Sequence, residues 1–223
     1  MKRIVILFVG ALAALFSSCF VFASAQEPAS RADGYKRLVL SYEFQDGDFE
    51  LEGELPAKGL SVGFVRGVLL GGGERVALEF GGKLAWTHGV DKDWGYTISR
   101  RDFLSAVLPV NVSYRLRLAG GNFVVAPYLG PTFRFNIVGR HDYEVWGRGH
   151  SVNFLSRRED TPASIFQFGG NVGIGFCVRG LYVGYAYQHD FTTYAERLRS
   201  LEYPNFNGEF RTRSHVVSVG FEF

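Results

Sequence analysis

The chain alternates between apolar and polar residues through most of its length after residue 34. This two-residue period is that of a β-strand whose two faces meet different surroundings. Around residue 40, for example, one side reads Leu, Leu, Tyr, Phe and the other reads Arg, Val, Ser, Glu. No helical period longer than two turns competes with it. The alternation predicts eight strands, roughly at residues 35–44, 59–70, 74–87, 101–117, 122–138, 163–179, 181–192 and 212–223.

The connections between these strands alternate strictly between short and long. The short ones contain glycine and lie at 71–73, 118–121 and 180, and the long ones lie near 45–58, 88–100, 139–162 and 193–211. Short turns at one end and long loops at the other are typical of a transmembrane β-barrel. Its glycine-rich polar face would fill a narrow interior, and its apolar face would contact lipid. We therefore predict an all-β fold over 35–223, an eight-stranded antiparallel transmembrane up-and-down β-barrel.

Two features limit the prediction of strand register. Arg66 interrupts the apolar face of the second strand, which predicts a β-bulge there. Pro109, Pro127 and Pro131 lie inside predicted strands, where the missing N–H removes a ladder hydrogen bond. The register around these positions therefore stays open.

The first 25 residues predict a cleaved secretory signal peptide. Lys2 and Arg3 precede a long apolar run, and Ala23-Ser24-Ala25 matches a small-residue cleavage site. Cleavage after Ala25 leaves residues 26–34 as a short N-terminal lead and predicts an outer-membrane location. Two alternatives stay open: a retained membrane anchor, and a lipoprotein acylated at Cys19.

Composition narrows the class of protein further. The 223 residues include 28 glycines and two cysteines, and their formal net charge is +2. Loss of the leader removes two basic residues and no acidic one, so the formal charge of the remainder is zero. These numbers argue against a strongly basic nucleic-acid binder and against a disulfide-rich scaffold. They suit a glycine-rich barrel.

The C-terminus carries the most specific motif. Val217, Val219, Phe221 and Phe223 occupy alternate positions up to the last residue, which resembles the assembly signature of bacterial outer-membrane barrels. The segment 126–131 is similar to the start of the fifth strand in the small eight-stranded outer-membrane proteins related to the OmpA transmembrane domain and the PorT-like barrels. The resemblance implies a monomer in contact with outer-membrane lipid and lipopolysaccharide. It also implies that the assembly machinery binds the C-terminal strand.

Several charged residues fall on the predicted inward face. Because an unpaired buried charge is costly, we predict a structural network of ion pairs that plugs the barrel. Its members are Glu43, Glu79, Lys83, Arg115, Arg134 and Glu222. Glu79 and Arg115 lie on neighbouring strands at similar depth, so we expect them to approach each other. A gated ion path or a ligand site is the alternative.

The loop ends offer three weaker signals. The loop 45–58 is acidic, which indicates divalent-cation binding, a basic partner, or a solvated, strand-like extension, and we favour the extension. Its acidic residues are Asp46, Asp48, Glu50, Glu52 and Glu54.

Tryptophans near the long loops and tyrosines near the short turns predict aromatic belts at the two membrane interfaces. These are Trp86, Trp94 and Trp146, and Tyr35, Tyr114, Tyr128 and Tyr182. Four histidines at the long-loop end show no metal-ligand spacing.

No motif for catalysis, a cofactor or nucleic-acid binding emerges. We therefore expect a non-enzymatic protein without a cofactor, whose role is structural, adhesive or interactive through its long loops. Its extracellular partner is left unspecified. One alternative is an outer-membrane lipid-modifying hydrolase, although the His-x-Ser pair of the lipid A deacylases is absent. The other is a soluble periplasmic lipocalin-like binding barrel.

Overall fold

A computed structural model describes residues 34–48, 57–70, 75–93, 97–118, 122–145, 148–153, 164–192 and 211–223. Within these ranges no helix is long and apolar enough to cross a membrane. The predicted signal peptide and all of the lead except Gly34 lie outside the described residues, so both stay predictions.

The described chain consists of ten antiparallel β-strands. They are β1 (Gly34–Asp48), β2 (Ala57–Leu70), β3 (Val76–Asp93), β4 (Thr97–Tyr114), β5 (Leu116–Leu118), β6 (Phe123–Val145), β7 (Arg148–Asn153), β8 (Phe166–Val178), β9 (Leu181–Asp190) and β10 (Arg211–Glu222). Strand β5 continues the line of β4 along one edge of β6. On the opposite edge of β6, strand β8 pairs with residues 123–135 and strand β7 pairs with residues 140–145. The ten strands therefore occupy eight positions.

The sheet closes on itself. Consecutive positions pair with each other, the first strand β1 pairs with the last strand β10, and β4 pairs with β6 to complete the ring. Closure leaves no sheet edge around the barrel and satisfies its backbone groups internally, as a lipid environment requires. The predicted fold, an all-β, eight-stranded antiparallel transmembrane up-and-down barrel, is confirmed.

The two faces of the barrel have the polarity expected in a membrane. Side chains that point inward are mainly polar, and Ser41, Glu79 and Gln167 are each at most 3% exposed. Side chains that point outward are mainly apolar, and Leu129 is 64% and Leu181 57% exposed. A soluble barrel would show the reverse arrangement, with its apolar residues inside. The lipocalin-like alternative therefore does not fit this structure.

Strands β3, β4 and β6 extend further than predicted at the long-loop end. Strand β3 runs to Asp93, β4 begins at Thr97, β6 runs to Val145, and β7 is added beside it. Much of the predicted loops 88–100 and 139–162 is therefore sheet. The predicted bounds were wrong here because a strand that leaves the lipid no longer needs an apolar face, so its alternation fades.

The irregular positions also differ from the prediction. Strand β2 pairs with both neighbours without a register shift, and Arg66 simply points outward, so the bulge predicted there was wrong. Between β4 and β6 the register shifts at Leu104/Ser105, where Ile137 of β6 has no partner residue. The same pairing is interrupted between Pro109 and Val112, where Pro131 on β6 has no N–H to donate.

Candidate functional site

Ion pairs fill the barrel near the short-turn end. Glu222 of β10 accepts hydrogen bonds from two arginines: Arg37 of β1, with Nη2 at 2.8 Å, and Arg115, which follows β4, with Nη1 at 3.2 Å. Arg37 Nη2 also lies 3.4 Å from Glu79 Oε1 of β3. All four side chains are at least nine-tenths buried. Two arginines and two glutamates from four strands thus neutralise one another inside the barrel.

Two tyrosines pack against these arginines. The Tyr35 hydroxyl donates to Glu79, and its ring lies 3.8 Å from Cζ of Arg115. The Tyr182 ring lies 3.9 Å from Cζ of Arg37. Aromatic faces stabilise cations at such distances. We call the set of Tyr35, Arg37, Glu79, Arg115, Tyr182 and Glu222 the short-turn cluster.

A second ion pair lies further along the barrel. Arg134 Nη2 of β6 donates to Glu43 Oε1 of β1 at 2.8 Å, and Gln45 Nε2 donates to the same carboxylate at 3.0 Å. Both charged side chains are buried, which requires this pairing because a lone buried charge is costly. We call Glu43, Gln45 and Arg134 the upper cluster.

Lys83 of β3 lies between the two clusters and lines a cavity of about 30 Å³ inside the barrel. No carboxylate among the described residues comes within 4.0 Å of its ammonium group. The cavity is also lined by Glu79, Asn111, Asn171 and Gln188. Asn171 Nδ2 donates to Asn111 Oδ1 at 2.9 Å, while Asn171 Oδ1 is buried without a partner.

All six residues predicted for the interior network lie inside the barrel. Glu79 pairs with Arg37 instead of Arg115, and Arg115 pairs with Glu222. Tyr35 lies between Glu79 and Arg115 and contacts both. The predicted network left out Arg37, although Arg37 shares the inward face of β1 with Ser41 and Glu43.

Three tyrosines predicted for the membrane belt lie inside the barrel instead. Tyr182 is 3% exposed, Tyr35 donates to Glu79, and Tyr128 lines the cavity. Tyr114, in contrast, is 41% exposed on the outside. A tyrosine suits either a lipid interface or a polar interior, so the residue type alone does not show whether the side chain points inward or outward. For Tyr182 the alternation along β9 shows that the side chain points inward, because it shares a face with Gly184 and Gln188.

The outer surface near the long-loop end carries polar pairs. His88 Nδ1 of β3 lies 2.8 Å from Asp102 Oδ1 of β4, and the His88 ring stacks on Trp86 at 5.9 Å. On β6, Arg140 Nε lies 2.8 Å from Asp142 Oδ1. These pairs are partly solvated and lie on the outward face. Trp94 and Trp146, which were predicted to share this end, lie outside the described residues.

The C-terminal and acidic segments occupy adjacent strands. Val217, Val219 and Phe221 point outward from β10, and each is 44–56% exposed. Phe223 pairs with Lys36 through two backbone hydrogen bonds of 2.8 Å. Asp46 and Asp48 form the end of β1, opposite Arg213 and Arg211 of β10. The side chains of these two aspartates, and all of Glu50, Glu52 and Glu54, lie outside what the structure describes.

The fold and the interior define the class of this protein as a transmembrane β-barrel with a charge-paired core. No family model and no curated protein matches the chain. Among solved structures it is similar to Ail, the attachment invasion locus protein of Yersinia pestis, at 10% identity and a TM-score of 0.47. That match covers 86% of this chain and 99% of Ail.

Two other solved structures show a similar degree of likeness. Neisserial surface protein A has 14% identity and a TM-score of 0.46, over 84% of this chain and 97% of the other. The outer membrane protease OmpT from Escherichia coli has 7% identity and a TM-score of 0.42, over 89% and 99%. Similarities at this level give no information about the activity of this chain.

Proposed function

We propose that the protein is a non-enzymatic outer-membrane barrel that presents a rigid β-sheet surface outside the cell, with a structural or adhesive role. The observation that carries this proposal is the asymmetry of the strands. At one end the strands close in short connections, and at the other β3, β4, β6 and β7 continue as a paired sheet. Such a paired sheet offers a surface to a partner.

The length of β6 supports a projecting sheet. About 9–11 tilted residues of a strand cross the hydrocarbon core of a membrane. Strand β6 has 23 residues, and it stays paired with both β4 and β7 as far as Val145, which lies opposite Thr97 and Arg148. More than half of this strand is therefore available outside the hydrocarbon core.

The interior supports an anchor that does not conduct. The short-turn cluster and the upper cluster are buried ion pairs that cross the lumen, and the cavity between them is about 30 Å³. This volume holds about two water molecules, since one needs roughly 10–15 Å³. An open channel would need a continuous water-filled path.

Epitope tags test the proposed orientation. One tag is placed between Asp93 and Thr97, where β3 and β4 end, and a matched tag between Leu118 and Phe123, at a short connection. We expect antibodies to bind the first tag on intact cells and the second only after the outer membrane is permeabilised. Equal binding of both tags on intact cells would contradict the proposed surface presentation.

Planar bilayer recordings test the proposed plug. We expect the purified barrel to give no steady conductance. A double substitution in the short-turn cluster, Arg37→Ala with Glu222→Ala, should raise ion flow because it removes side chains that cross the lumen. Stable channels formed by the unmodified protein would argue against a plugged anchor.

A lipid-modifying hydrolase is the second candidate, favoured by the His88–Asp102 pair on the outer surface. A carboxylate that holds one imidazole nitrogen leaves the other available as a base. In the described part of the chain, however, no serine, threonine or cysteine is hydrogen-bonded to His88. Mass spectrometry of membrane lipids decides between the candidates. A lipid mass change that depends on the protein and is lost in His88→Ala would support the hydrolase.

A further inference from the structure

Lys83 is a cation left between two groups that are already neutral. The short-turn cluster contains two arginines and two glutamates, and the upper cluster contains one of each. Asp190, another buried carboxylate, accepts from Thr212 and from Gln167 at 3.4 Å. These two donors are neutral, so Asp190 keeps its negative charge, but it does not line the cavity beside Lys83. No described carboxylate lies within 4.0 Å of the Lys83 ammonium group. An enclosed charge without a counter-charge is costly.

The cavity beside Lys83 has the size and polarity for a small ligand. Its volume of about 30 Å³ accommodates two particles the size of water. Arg37 and Lys83 contribute positive charge to its wall, and Glu79 contributes negative charge that Arg37 already matches. The carboxamide of Asn171 leaves Oδ1 buried without a partner. The wall therefore offers one unmatched cation and one unmatched acceptor.

We propose that this cavity binds a monovalent anion of chloride size against the Lys83 ammonium group, together with one water molecule. The anion places a negative charge in contact with the ammonium group, and the water donates one hydrogen to Asn171 Oδ1 and the other to the anion. The bound anion completes the interior plug, and the inference rests on the fold and not on the proposed surface role.

Bromide provides a direct test because it replaces chloride and scatters X-rays anomalously. Crystals of the full barrel are soaked in sodium bromide and measured at the bromine absorption edge. We expect one interior anomalous peak within hydrogen-bond distance of Lys83 Nζ. Absence of an interior peak in well-diffracting crystals would overturn the proposal, because the barrel would then hold only water there.

Matched variants separate the site from general salt effects. Lys83→Met removes the charge and keeps the length of the side chain, while Lys58→Met makes the same change at an exposed outward position on β2. A ligand that binds only the folded barrel raises its thermal midpoint as its concentration increases. We expect chloride, compared with gluconate at equal ionic strength, to raise the midpoint of the wild type and of Lys58→Met but not of Lys83→Met.

Each outcome of the variant experiment is informative. Equal chloride dependence in all three proteins would contradict the site. If Lys83→Met does not fold, Lys83→Gln keeps a hydrogen-bond donor without the charge and is expected to lose the chloride dependence in the same way. The bromide experiment needs only the unmodified protein and therefore stands whichever variant folds.

Discussion

At the scale of single residues, Glu222 holds the short-turn cluster together, because it is the shared acceptor of Arg37 and Arg115. Substitution of Glu222 by glutamine would leave two buried guanidinium groups with one remaining carboxylate. Breaking a buried ion pair in this way typically costs about 3–5 kcal/mol. We expect Glu222→Gln to lower the free energy of unfolding by this amount, measured by urea unfolding of the barrel in lipid vesicles.

The exposed pair Arg140–Asp142 provides the control for Glu222→Gln. Its side chains are 52% and 34% exposed, so water screens their interaction. Asp142→Asn should leave the unfolding midpoint unchanged. If the two substitutions shift the midpoint equally, the interior pairs contribute no more than surface pairs, and the plug does not stabilise the barrel.

Glycines make room for the tyrosines inside the barrel. A Cβ atom added at Gly184 would lie 2.3 Å from the hydroxyl oxygen of Tyr182, whose ring stacks on Arg37. At Gly82, which is exposed, the nearest heavy atom would be 3.7 Å away, on Leu108. Overpacking of a closed interior typically costs about 1–3 kcal/mol. We expect Gly184→Ala to be destabilised by this amount and Gly82→Ala to be neutral, in the same urea assay; the reverse order would contradict the packing.

At the scale of elements, the sequence was sufficient where the chain crosses lipid and insufficient beyond it. The predicted strand at 59–70 became β2 at 57–70, because apolar and polar positions alternate through most of it and Arg66 points outward without breaking the pairing. The end of β6 was predicted as loop, because from Gly139 onward neither face is required to be apolar. The ion-pair partners of single residues were harder to predict than the strands. The alternation along β1 already places Arg37 on the inward face, but its partners Glu79 and Glu222 lie on other strands, and no single strand reveals that pairing.

The C-terminal strand carries a prediction about assembly. Phe221 of β10 and Phe80 of β3 both point outward and are 56% and 41% exposed, so their loss removes similar lipid contacts. If the C-terminal pattern is recognised during assembly, Phe221→Ser should reduce the amount of folded barrel in the membrane several-fold more than Phe80→Ser. The measurement is the folded fraction in isolated outer membranes. Equal reductions would mean that only lipid contact is lost.

At the scale of the whole molecule, the two ends of the barrel differ in structure. The short-turn end concentrates the ion pairs and the closing contacts between Phe223 and Lys36. The long-loop end carries the extended strands β3, β4, β6 and β7. This division favours presentation of a surface over transport through the barrel.

Closure also predicts the behaviour of the molecule on a denaturing gel. All eight positions of the barrel are paired on both sides, so detergent finds no free edge from which to unravel the sheet. Unfolding must then break many hydrogen bonds together, which makes it slow until the sample is heated. We expect the protein in the outer-membrane fraction to migrate differently before and after boiling. A protein that fractionates with soluble proteins and shows no shift would contradict the membrane location, and the apolar outer surface would then need a different partner.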